Sequence, residues 1–357
     1  MKVIISAGGT GGHIYPALAI IDKIKEREPS STFLYIGTTN RMEKDIVPKR
    51  KIDYLGLDVK SLDKKHPFKT LKDYKNAYLK CQKVIKEFKP DIVIGVGGYV
   101  TVPVILVANK FGIKIFLHEQ NSVPGKANLF LSKYASKIGV SFKSSLKCFP
   151  QYKTVLTGNP CSDEAIKQVK ISKNKFDLTD SKKLVLIVMG SLGSSKINEY
   201  LIKIVNNFEN KDYEVLLVTG SKNYEMFNNI KVPKNVKIVP YIDELTRIMK
   251  QTDLMVSRSG ASALSEIISL EIPSILIPSP YVANNHQYKN AVDLINNDAA
   301  ILLEEKDLKE DILVKTIDNV INNSKRLNEI KNNIKPFKIE DSSLKIYEVL
   351  KELVGKK

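Results

Sequence analysis

Tryptophan and cysteine are the scarcest side chains in this chain of 357 residues, which has no Trp and three Cys. Cys81, Cys148 and Cys161 are odd in number and far apart, so the sequence indicates neither a disulfide framework nor a metal cluster. This usage is typical of proteins in a reducing cytoplasm. The opening apolar run has no charged leader before it, so no export signal is expected.

Long uncharged runs are also scarce. Residues 92–109 lack charge over 18 positions, the length at which a membrane-spanning helix becomes possible. Three glycines and Pro103 interrupt this run. A strand at 92–94, a glycine turn and a helix that opens at Pro103 explain it better, so no spanning helix is expected.

Acidic residues are in deficit, and the formal net charge is +17. Residues 1–160 hold 27 Lys and Arg against 12 Asp and Glu, whereas the rest of the chain holds 29 against 27. A basic N-terminal half attracts nucleic acid, anionic lipid or a phosphorylated substrate. A lysine-rich surface without any specific partner explains the charge equally well.

Apolar runs with strand character alternate with helical stretches along the whole chain. Strands are predicted at residues 3–5, 32–36, 92–94, 113–117, 184–188, 213–219, 236–239, 254–256 and 274–277, with a short one near Tyr54. This alternation predicts parallel βαβ units. The second half repeats the opening of the first, so we expect an α/β protein of two similar domains whose glycine loops face a cleft.

Breaks at residues 149–150 and 157–160 mark the domain boundary. The predicted domains are residues 1–160 and 161–340, and the C-terminal helix at 341–357 is expected to pack back on the first domain. A longer amphipathic helix is predicted from Pro67 to Lys89. Its apolar stripe, expected to face the core, consists of Leu71, Tyr74, Tyr78, Cys81, Ile85 and Phe88.

The glycine loop at residues 8–12 follows the first strand and leads into a helix predicted from Pro16 to Arg27. Four glycines in five positions let backbone N–H groups close on an oxyanion at the positive end of that helix. Tight packing at the first crossover of the sheet is the alternative interpretation. The loop ends in His13, one of four histidines in the chain.

Further polar or glycine-rich stretches follow other predicted strands. In the first half these are Gly95–Tyr99 and His118–Asn121, the latter at a strand's carboxyl end, where open α/β sheets bind ligands. A helix cap with a satisfied histidine is the alternative there. In the second half, Gly190–Ser195 and Ser257–Glu266 each open a helix whose N–H groups suit phosphate.

Two groups of side chains in the second half suit a nucleotide sugar. Glu266 lies about two turns into its predicted helix and could accept hydrogen bonds from both hydroxyls of a ribose. The stretch Asn284–Gln287 supplies neutral hydrogen-bonding side chains, which are typical of sugar sites.

These motifs together resemble the peptidoglycan glycosyltransferases that transfer N-acetylglucosamine from its UDP form to undecaprenyl-pyrophosphoryl-N-acetylmuramoyl-pentapeptide, and the similarity spans nearly the full length. The motifs that carry it are Gly8–His13, Gly95–Val100, His118–Asn121, Thr157–Pro160, Arg258–Ala261, Glu266 and Gln287. The resemblance implies a GT-B fold, in which two Rossmann-like doubly wound domains face a cleft. It further implies that the C-terminal domain binds the nucleotide sugar and the N-terminal domain the lipid acceptor.

The resemblance also assigns roles to individual residues. It implies His13 as the candidate catalytic base, Ser191 at the diphosphate, Ile242 at uracil through its backbone, and Glu266 at the ribose. Gln287 and Asn121 are expected at the sugar. The full expected donor-binding set is Thr10, Gly11, Gly12, Asn121, Ser191, Ile242, Ala261, Ser262, Glu266 and Gln287, and the acceptor-side set is Gly97, Gly98, Tyr99, His118 and Glu119.

Three positions depart from the family pattern. Leu192 stands where a Gln is usual, Ser162 where an Arg commonly follows the Asn-Pro motif, and His286 where a second Gln is usual. These departures affect the expected diphosphate clamp. Arg258 or a lysine is expected to compensate.

The expected chemistry is inverting transfer without a metal ion or cofactor, because helix N-termini at Ser191 and at 258–260 can stabilise the leaving diphosphate. The expected partners are UDP-N-acetylglucosamine, the undecaprenyl-linked acceptor and an anionic membrane surface, which places the enzyme peripherally on the cytoplasmic face of the cell membrane. A related transferase acting on diacylglycerol remains an alternative. A nucleic-acid partner is not expected, since the basic stretches lack the usual aromatic interleaving.

Overall fold

The computed structural model describes residues 1–60, 67–190 and 193–355, which form two compact units. The first unit comprises Met1–Asp163 and Ile339–Lys357, and the second comprises Glu164–Lys338. Each is built on a parallel sheet with helical crossovers between its strands. The prediction of two Rossmann-like α/β domains is therefore confirmed.

The strands run through both units in chain order. They are β1 (Lys2–Ala7), β2 (Thr32–Thr38), β3 (Asp53–Leu57), β4 (Ile92–Gly97), β5 (Lys114–Glu119), β6 (Lys137–Val140), β7 (Thr154–Leu156), β8 (Lys183–Val188), β9 (Tyr213–Val218), β10 (Val236–Val239), β11 (Leu254–Ser257), β12 (Ser274–Leu276) and β13 (Ile301–Leu302).

The α-helices connect these strands and close the chain. They are α1 (Gly11–Arg27), α2 (Glu43–Lys49), α3 (Pro67–Phe88), α4 (Thr101–Lys110), α5 (Lys126–Leu131), α6 (Cys161–Lys167), α7 (Ser195–Ile204), α8 (Leu245–Met249), α9 (Ala261–Ser269), α10 (His286–Asn296), α11 (Ile312–Ile321), α12 (Ser324–Ile334) and α13 (Ser342–Gly355).

The order of strands determines where each sheet can bind a ligand. In the first unit the order is β3-β2-β1-β4-β5-β6-β7, and in the second it is β10-β9-β8-β11-β12-β13. Strand order therefore reverses between β1 and β4 in one sheet and between β8 and β11 in the other. Loops at the carboxyl ends of strands diverge at such switch points and leave a crevice. The predicted glycine loops follow β1 and β8, at these two points.

Several details differ from the sequence-based prediction. Helix α4 begins at Thr101 rather than at Pro103. Helix α1 begins at Gly11 rather than at Pro16, because the glycine loop itself supplies the first turn. The prediction that the apolar stripe of α3 faces the core is wrong at Leu71, which is 69% exposed. Cys81 and Ile85 of the same stripe are buried as predicted. The short strands β6, β7 and β13 were not predicted.

The C-terminal helix α13 belongs to the first unit. Ile346, Leu350 and Leu353 join the same buried cluster as residues of β1 and α1. Asp163 holds its first turn, since the carboxylate accepts hydrogen bonds from the Ser342 N–H at 3.1 Å and the Ser343 N–H at 2.6 Å. An acidic side chain at a helix N-terminus is favourable for the same reason that anions bind there.

Among the described residues, no helix is both long enough and apolar enough to cross a bilayer.

Candidate active site

Two glycine turns pack against each other at the switch point of the first sheet. The Gly8 N–H donates to the Gly97 carbonyl at 3.3 Å. Gly98 has φ +91°, and a Cβ there would lie 2.5 Å from the Gly8 carbonyl oxygen. Only glycine allows this approach of backbone to backbone, so each turn fixes the position of the other.

Substitution of Gly98 by alanine is expected to lower the free energy of unfolding by about 3 kcal/mol, through combined backbone strain and the clash with Gly8. Gly112 is the matched control, because it also has positive φ, +67°, but no atom lies within 4 Å of its added Cβ. Gly112→Ala should cost about 1 kcal/mol. Urea denaturation followed by circular dichroism measures both, and equal costs would contradict the packing described here.

His13 is the third residue of α1 and lies against the second glycine turn. Its Nδ1 is 3.1 Å from the Gly8 carbonyl oxygen. A carbonyl can only accept, so Nδ1 carries the proton and the neutral ring has its lone pair on Nε2. A Cβ on Gly97 would lie 2.9 Å from Nε2, so this ring position also requires glycine. The tautomer is the one in which Nε2 can take up a proton.

The start of α1 supplies the other predicted residues of this loop. Thr10 is the N-cap, with an extended backbone and no side-chain cap bond, and its hydroxyl lies 3.5 Å from His13 Nδ1. Gly11 and Gly12 form the first turn. The first N–H groups of a helix have no intrahelical acceptor, so this end is positive and suits an anion.

The predicted acceptor-side stretch turns out to be a buried clamp. His118 is fully buried, its Nε2 lies 3.0 Å from the Gly158 carbonyl and its Nδ1 lies 2.9 Å from Gln120 Nε2. Burial lowers the pKa of His118 to about 4, so the ring is neutral. Both nitrogens are therefore used within the unit, which matches the satisfied-histidine alternative.

Glu119 holds the loop that follows β5. Its carboxylate accepts from the Asn121 N–H at 2.9 Å and the Gly125 N–H at 3.0 Å, and from Asn128 Nδ2 at 2.9 Å. In this geometry the side chains of His118 and Glu119 hold the loop after β5, and the half-buried Asn121 and Tyr99 are the more accessible members of the predicted set.

Glu43 was not predicted, although it lies directly beneath the glycine loop. The side chain is completely buried, and Oε1 accepts from the Thr38 hydroxyl at 2.6 Å and the Thr38 N–H at 3.1 Å. Both carboxylate oxygens lie 3.4 Å from the Gly9 N–H. In the sequence it is one acidic residue among basic ones at a helix start, which is typical of a solvated position.

The second unit has an uncapped helix end at its own switch point. Gly260 is the N-cap of α9 and makes no side-chain cap bond, and the Ser262 hydroxyl in the first turn is buried without a hydrogen-bond partner among the described residues. Ala261 lies beside it. Ser259 is held below this turn, because its hydroxyl donates to the Gln287 carbonyl at 2.8 Å. The N–H groups and the Ser262 hydroxyl are suited to a phosphate.

Glu266 lies on the second turn of α9. Burial raises the pKa of its carboxyl to about 7, and no neighbouring charge contributes to the shift. Glu266 is only partly buried, and a carboxyl whose pKa its surroundings raise in this way is a common feature of functional sites.

A charged cluster supports the loop after β8. Arg258 donates to Glu305 at 2.7 Å, to the Ser194 hydroxyl at 3.0 Å and to the Ile277 carbonyl at 3.0 Å. Burial by itself raises the pKa of the Glu305 carboxyl, but the hydrogen bond and charge of Arg258, together with hydrogen bonds from Lys196 and Tyr281, outweigh burial and hold the pKa below its ordinary value. Lys196, on the first turn of α7, is 3.2 Å from the same carboxylate. The cluster holds two cations against one carboxylate and is net positive.

The remaining predicted residues of the second unit surround this edge of the sheet. The Gln287 side-chain oxygen accepts from the Ser279 N–H at 2.8 Å, which directs its amide nitrogen away from that contact. Ile242 lies half-buried in the loop between β10 and α8. Ser191 and Leu192 lie outside the described residues.

Ser162, the position where the family usually has arginine, is buried in the first unit. Its hydroxyl donates to the Asn159 carbonyl at 2.7 Å and lies 3.3 Å from the Ser342 hydroxyl. The side chain therefore packs against the start of α13.

Within residues 1–60, 67–190 and 193–355, no group of three or more His, Cys, Asp or Glu side chains is arranged to hold a metal ion.

Matches to family models over both Rossmann-like domains define the class of this chain as a glycosyltransferase. Residues 3–140 match the glycosyltransferase family 28 N-terminal domain and residues 184–345 match its C-terminal domain. The chain is 43% identical over its full length to the full-length UDP-N-acetylglucosamine--N-acetylmuramyl-(pentapeptide) pyrophosphoryl-undecaprenol N-acetylglucosamine transferase of Bacillus cytotoxicus. It is 41% identical to the enzyme of that name from Pediococcus pentosaceus, over 99% of each chain. The chain belongs to this family of N-acetylglucosamine transferases within glycosyltransferase family 28.

Solved structures agree on the fold. The crystal structure of MurG from Acinetobacter baumannii has a TM-score of 0.78, with 23% identity over 98% of this chain and 99% of that one. A UDP-GlcNAc 2-epimerase from Neisseria meningitidis, bound to UDP-GlcNAc, has a TM-score of 0.69 with 17% identity over 99% of this chain and 100% of that one.

Proposed function

We propose that this chain transfers N-acetylglucosamine from UDP-N-acetylglucosamine to the muramoyl sugar of undecaprenyl-pyrophosphoryl-N-acetylmuramoyl-pentapeptide, the step that forms lipid II in peptidoglycan synthesis. The observation that carries the proposal is 43% identity to a transferase named for this reaction, over 100% of both chains. The uncapped helix end and the ionisable Glu266 in the second unit support it, because they suit a nucleoside diphosphate.

The second unit is proposed to hold the nucleotide sugar. The N-terminus of α9, with Ala261 and Ser262, faces the diphosphate, and Ser191 contributes from the loop after β8. Glu266 accepts hydrogen bonds from the ribose hydroxyls, and the backbone of Ile242 hydrogen-bonds to uracil. Gln287 binds the sugar through the amide nitrogen that Ser279 leaves available.

The first unit is proposed to hold the acceptor and the catalytic base. A hydroxyl of the muramoyl sugar attacks the anomeric carbon from the face opposite UDP, while His13 Nε2 takes its proton. The bond from the anomeric carbon to the diphosphate oxygen breaks, and its electron pair leaves with UDP. Thr10, Gly11 and Gly12 contribute N–H groups to the phosphates, and Asn121 contacts the transferred sugar. Gly97, Gly98 and Tyr99 form the acceptor side.

Positive charge from the protein is proposed to replace a metal ion at the leaving group. The charge that develops on the diphosphate is stabilised by helix N-termini and by the cluster of Lys196 and Arg258. Lys196 lies on the first turn of α7, and we propose that its charge compensates for the Gln that is usual in the family and is replaced by Leu at position 192 of this sequence. Ser162 does not compensate, since it packs against α13.

A transfer assay tests the proposal directly. Radiolabelled UDP-N-acetylglucosamine and the undecaprenyl-linked acceptor should give labelled lipid product at an undiminished rate in excess EDTA. Diacylglycerol in place of that acceptor should give none. Product on diacylglycerol alone would contradict the proposed acceptor, and loss of activity in EDTA that Mg²⁺ restores would contradict a metal-free mechanism.

The carboxyl edge of the first sheet is proposed to rest on the anionic cytoplasmic leaflet, which makes the enzyme a peripheral membrane protein. Helices α3 and α5 both pack on α4, and both present apolar side chains to solvent: Phe68, Leu71, Leu129 and Phe130 are 87%, 69%, 43% and 48% exposed. Exposed lysines accompany them at positions 72, 75, 126 and 133. Apolar insertion and attraction to anionic lipid then act together, with about 1 kcal/mol for each basic residue near the surface.

The triple variant Phe68→Ser, Leu71→Ser, Phe130→Ser is expected to reduce binding to anionic vesicles by about 10- to 100-fold, because it removes most of the exposed apolar area. Val169→Ser, an equally polar change at a 72% exposed position of the second unit, is the control and should bind as the wild type does. Vesicle sedimentation measures the partition. Unchanged binding of the triple variant, or equal binding of the wild type to neutral vesicles, would refute this orientation.

A further inference from the structure

A single peptide unit links the buried carboxylate of Glu43 to His13. The peptide between Gly8 and Gly9 has its carbonyl oxygen 3.1 Å from His13 Nδ1 and its N–H 3.4 Å from the Glu43 oxygens. Both poles of this peptide are therefore engaged, one by the carboxylate and one by the imidazole. We infer that Glu43 is a positioning residue that acts on His13 through the Gly8–Gly9 peptide. This inference rests on the proposed role of His13 as the base.

The surroundings of Glu43 form a built cradle. A Cβ on Gly8 would lie 2.5 Å from Glu43 Oε1, and a Cβ on Gly37 would lie 2.7 Å from Glu43 Cγ, so two glycines make room for the side chain. Within the part of the chain that the structure describes, the groups that hydrogen-bond to the carboxyl are all donors: the Thr38 N–H, the Thr38 hydroxyl and the Gly9 N–H. This is the pattern of an ionised carboxylate, which accepts and does not donate.

The physical effect follows from the direction of the hydrogen bonds. A negative charge beside the Gly9 N–H polarises the peptide and places more negative charge on the Gly8 carbonyl oxygen. That oxygen then holds the Nδ1 proton more firmly, fixes the tautomer with the lone pair on Nε2, and stabilises the imidazolium that forms when Nε2 takes a proton. A carboxylate that contacts a histidine directly has the same effect in many enzymes. Here one peptide unit lies between the two groups.

Other titratable groups near Glu43 do not compete for this role. Burial, and secondarily the charge of Glu43, raise the pKa of Tyr35 on β2 and of Tyr54 on β3, so both phenols stay neutral. The Tyr54 hydroxyl donates to the Thr38 carbonyl at 2.5 Å, away from the carboxylate. Asp45 is exposed on the same helix, and the ring of Tyr99 lies beside Gly9 from the loop after β4.

Kinetics of Glu43→Gln give the first test. We expect kcat to fall about 10-fold, KM for UDP-N-acetylglucosamine to stay within about twofold, and the acid limb of the kcat–pH profile to move down by about 0.5 to 1 pH unit. Asp45→Asn removes the same charge from an exposed position of α2 and is the matched control, with wild-type kinetics expected. A fall in kcat without movement of the acid limb of the kcat–pH profile would mean that Glu43 only stabilises the loop structure, and it would overturn the inference.

Nitrogen-15 NMR of labelled histidine gives a second test that does not depend on turnover. His13→Asn assigns the His13 signals among the four histidines. In the wild type we expect the neutral His13 ring to be protonated at Nδ1. In Glu43→Gln we expect the pKa of His13 to be lower by about 0.5 to 1 unit, the same shift as in the kinetic profile. A wild-type ring protonated at Nε2, or a pKa unchanged in Glu43→Gln, would overturn the inference. If His13→Ala kept its kcat, the base role would fail while the NMR result could still stand, so the two failures are distinguishable.

Discussion

Replacement of His13 by alanine is expected to lower kcat for sugar transfer by about 1,000-fold, with KM for UDP-N-acetylglucosamine within about twofold of the wild-type value. The reason is that His13 belongs to the first unit, where its Nδ1 is held by the Gly8 carbonyl at 3.1 Å, and its proposed contact is with the acceptor hydroxyl. Steady-state kinetics with saturating lipid acceptor measure both constants.

His13→Asn separates the base from its structural contact. The asparagine amide can donate to the Gly8 carbonyl much as Nδ1 does, but it has no basic nitrogen to take up a proton. We therefore expect the asparagine variant to be as slow as the alanine variant. A near-normal kcat in either variant would exclude His13 as the base and leave it only a role in shaping the glycine loop.

Glu266→Gln is expected to weaken UDP-N-acetylglucosamine binding by about 30-fold at pH 8, since two hydrogen bonds to a charged acceptor become bonds to a neutral one. The effect depends on pH because burial raises the pKa of this carboxyl to about 7 in the unliganded protein. Ribose hydroxyls donate to the ionised form, so binding favours loss of the proton.

The direction in which the affinity changes with pH follows from the preference of the nucleotide for the ionised carboxylate. The affinity of the wild type for UDP-N-acetylglucosamine should rise as pH increases through about 7 and level off above it. At pH 5.5 it should be about 30-fold weaker than on this upper plateau. Near pH 7, binding should release about half a proton, which calorimetry in buffers of different ionisation enthalpy detects. Glu266→Gln should bind with an affinity independent of pH from 5.5 to 8. A wild-type affinity that does not change across this range would contradict the proposed contact.

Much of the fold could be predicted from the sequence because parallel strands are buried on both faces and read as continuous apolar runs. β4 and β8 are such runs. Strands β6, β7 and β13, with four, three and two residues, are too short to stand out from turns, and only pairing with longer neighbours defines them. Leu71 was misplaced because helical periodicity identifies a stripe without telling which part of it the sheet covers.

The candidate site likewise has residues that the sequence could predict and residues that it could not. Glycine loops and the polar ends of strands have local signals, so His13, Glu266 and Gln287 could be proposed from the sequence. Glu43 could not, because its role depends on β2 lying beside β1, which brings the start of α2 under the first glycine loop. His118 illustrates the converse. Its motif is distinctive, yet burial and two hydrogen bonds assign it to holding the loop.

The central claim is that a nucleoside diphospho-sugar binds at the switch point of the second sheet through helix N-termini and Glu266. A crystal structure with UDP-N-acetylglucosamine tests it most directly. We expect the diphosphate at the first turns of α7 and α9, the ribose hydroxyls within hydrogen-bonding distance of Glu266, and uracil against the Ile242 backbone. A nucleotide bound elsewhere, or a metal ion bridging its phosphates, would contradict the claim.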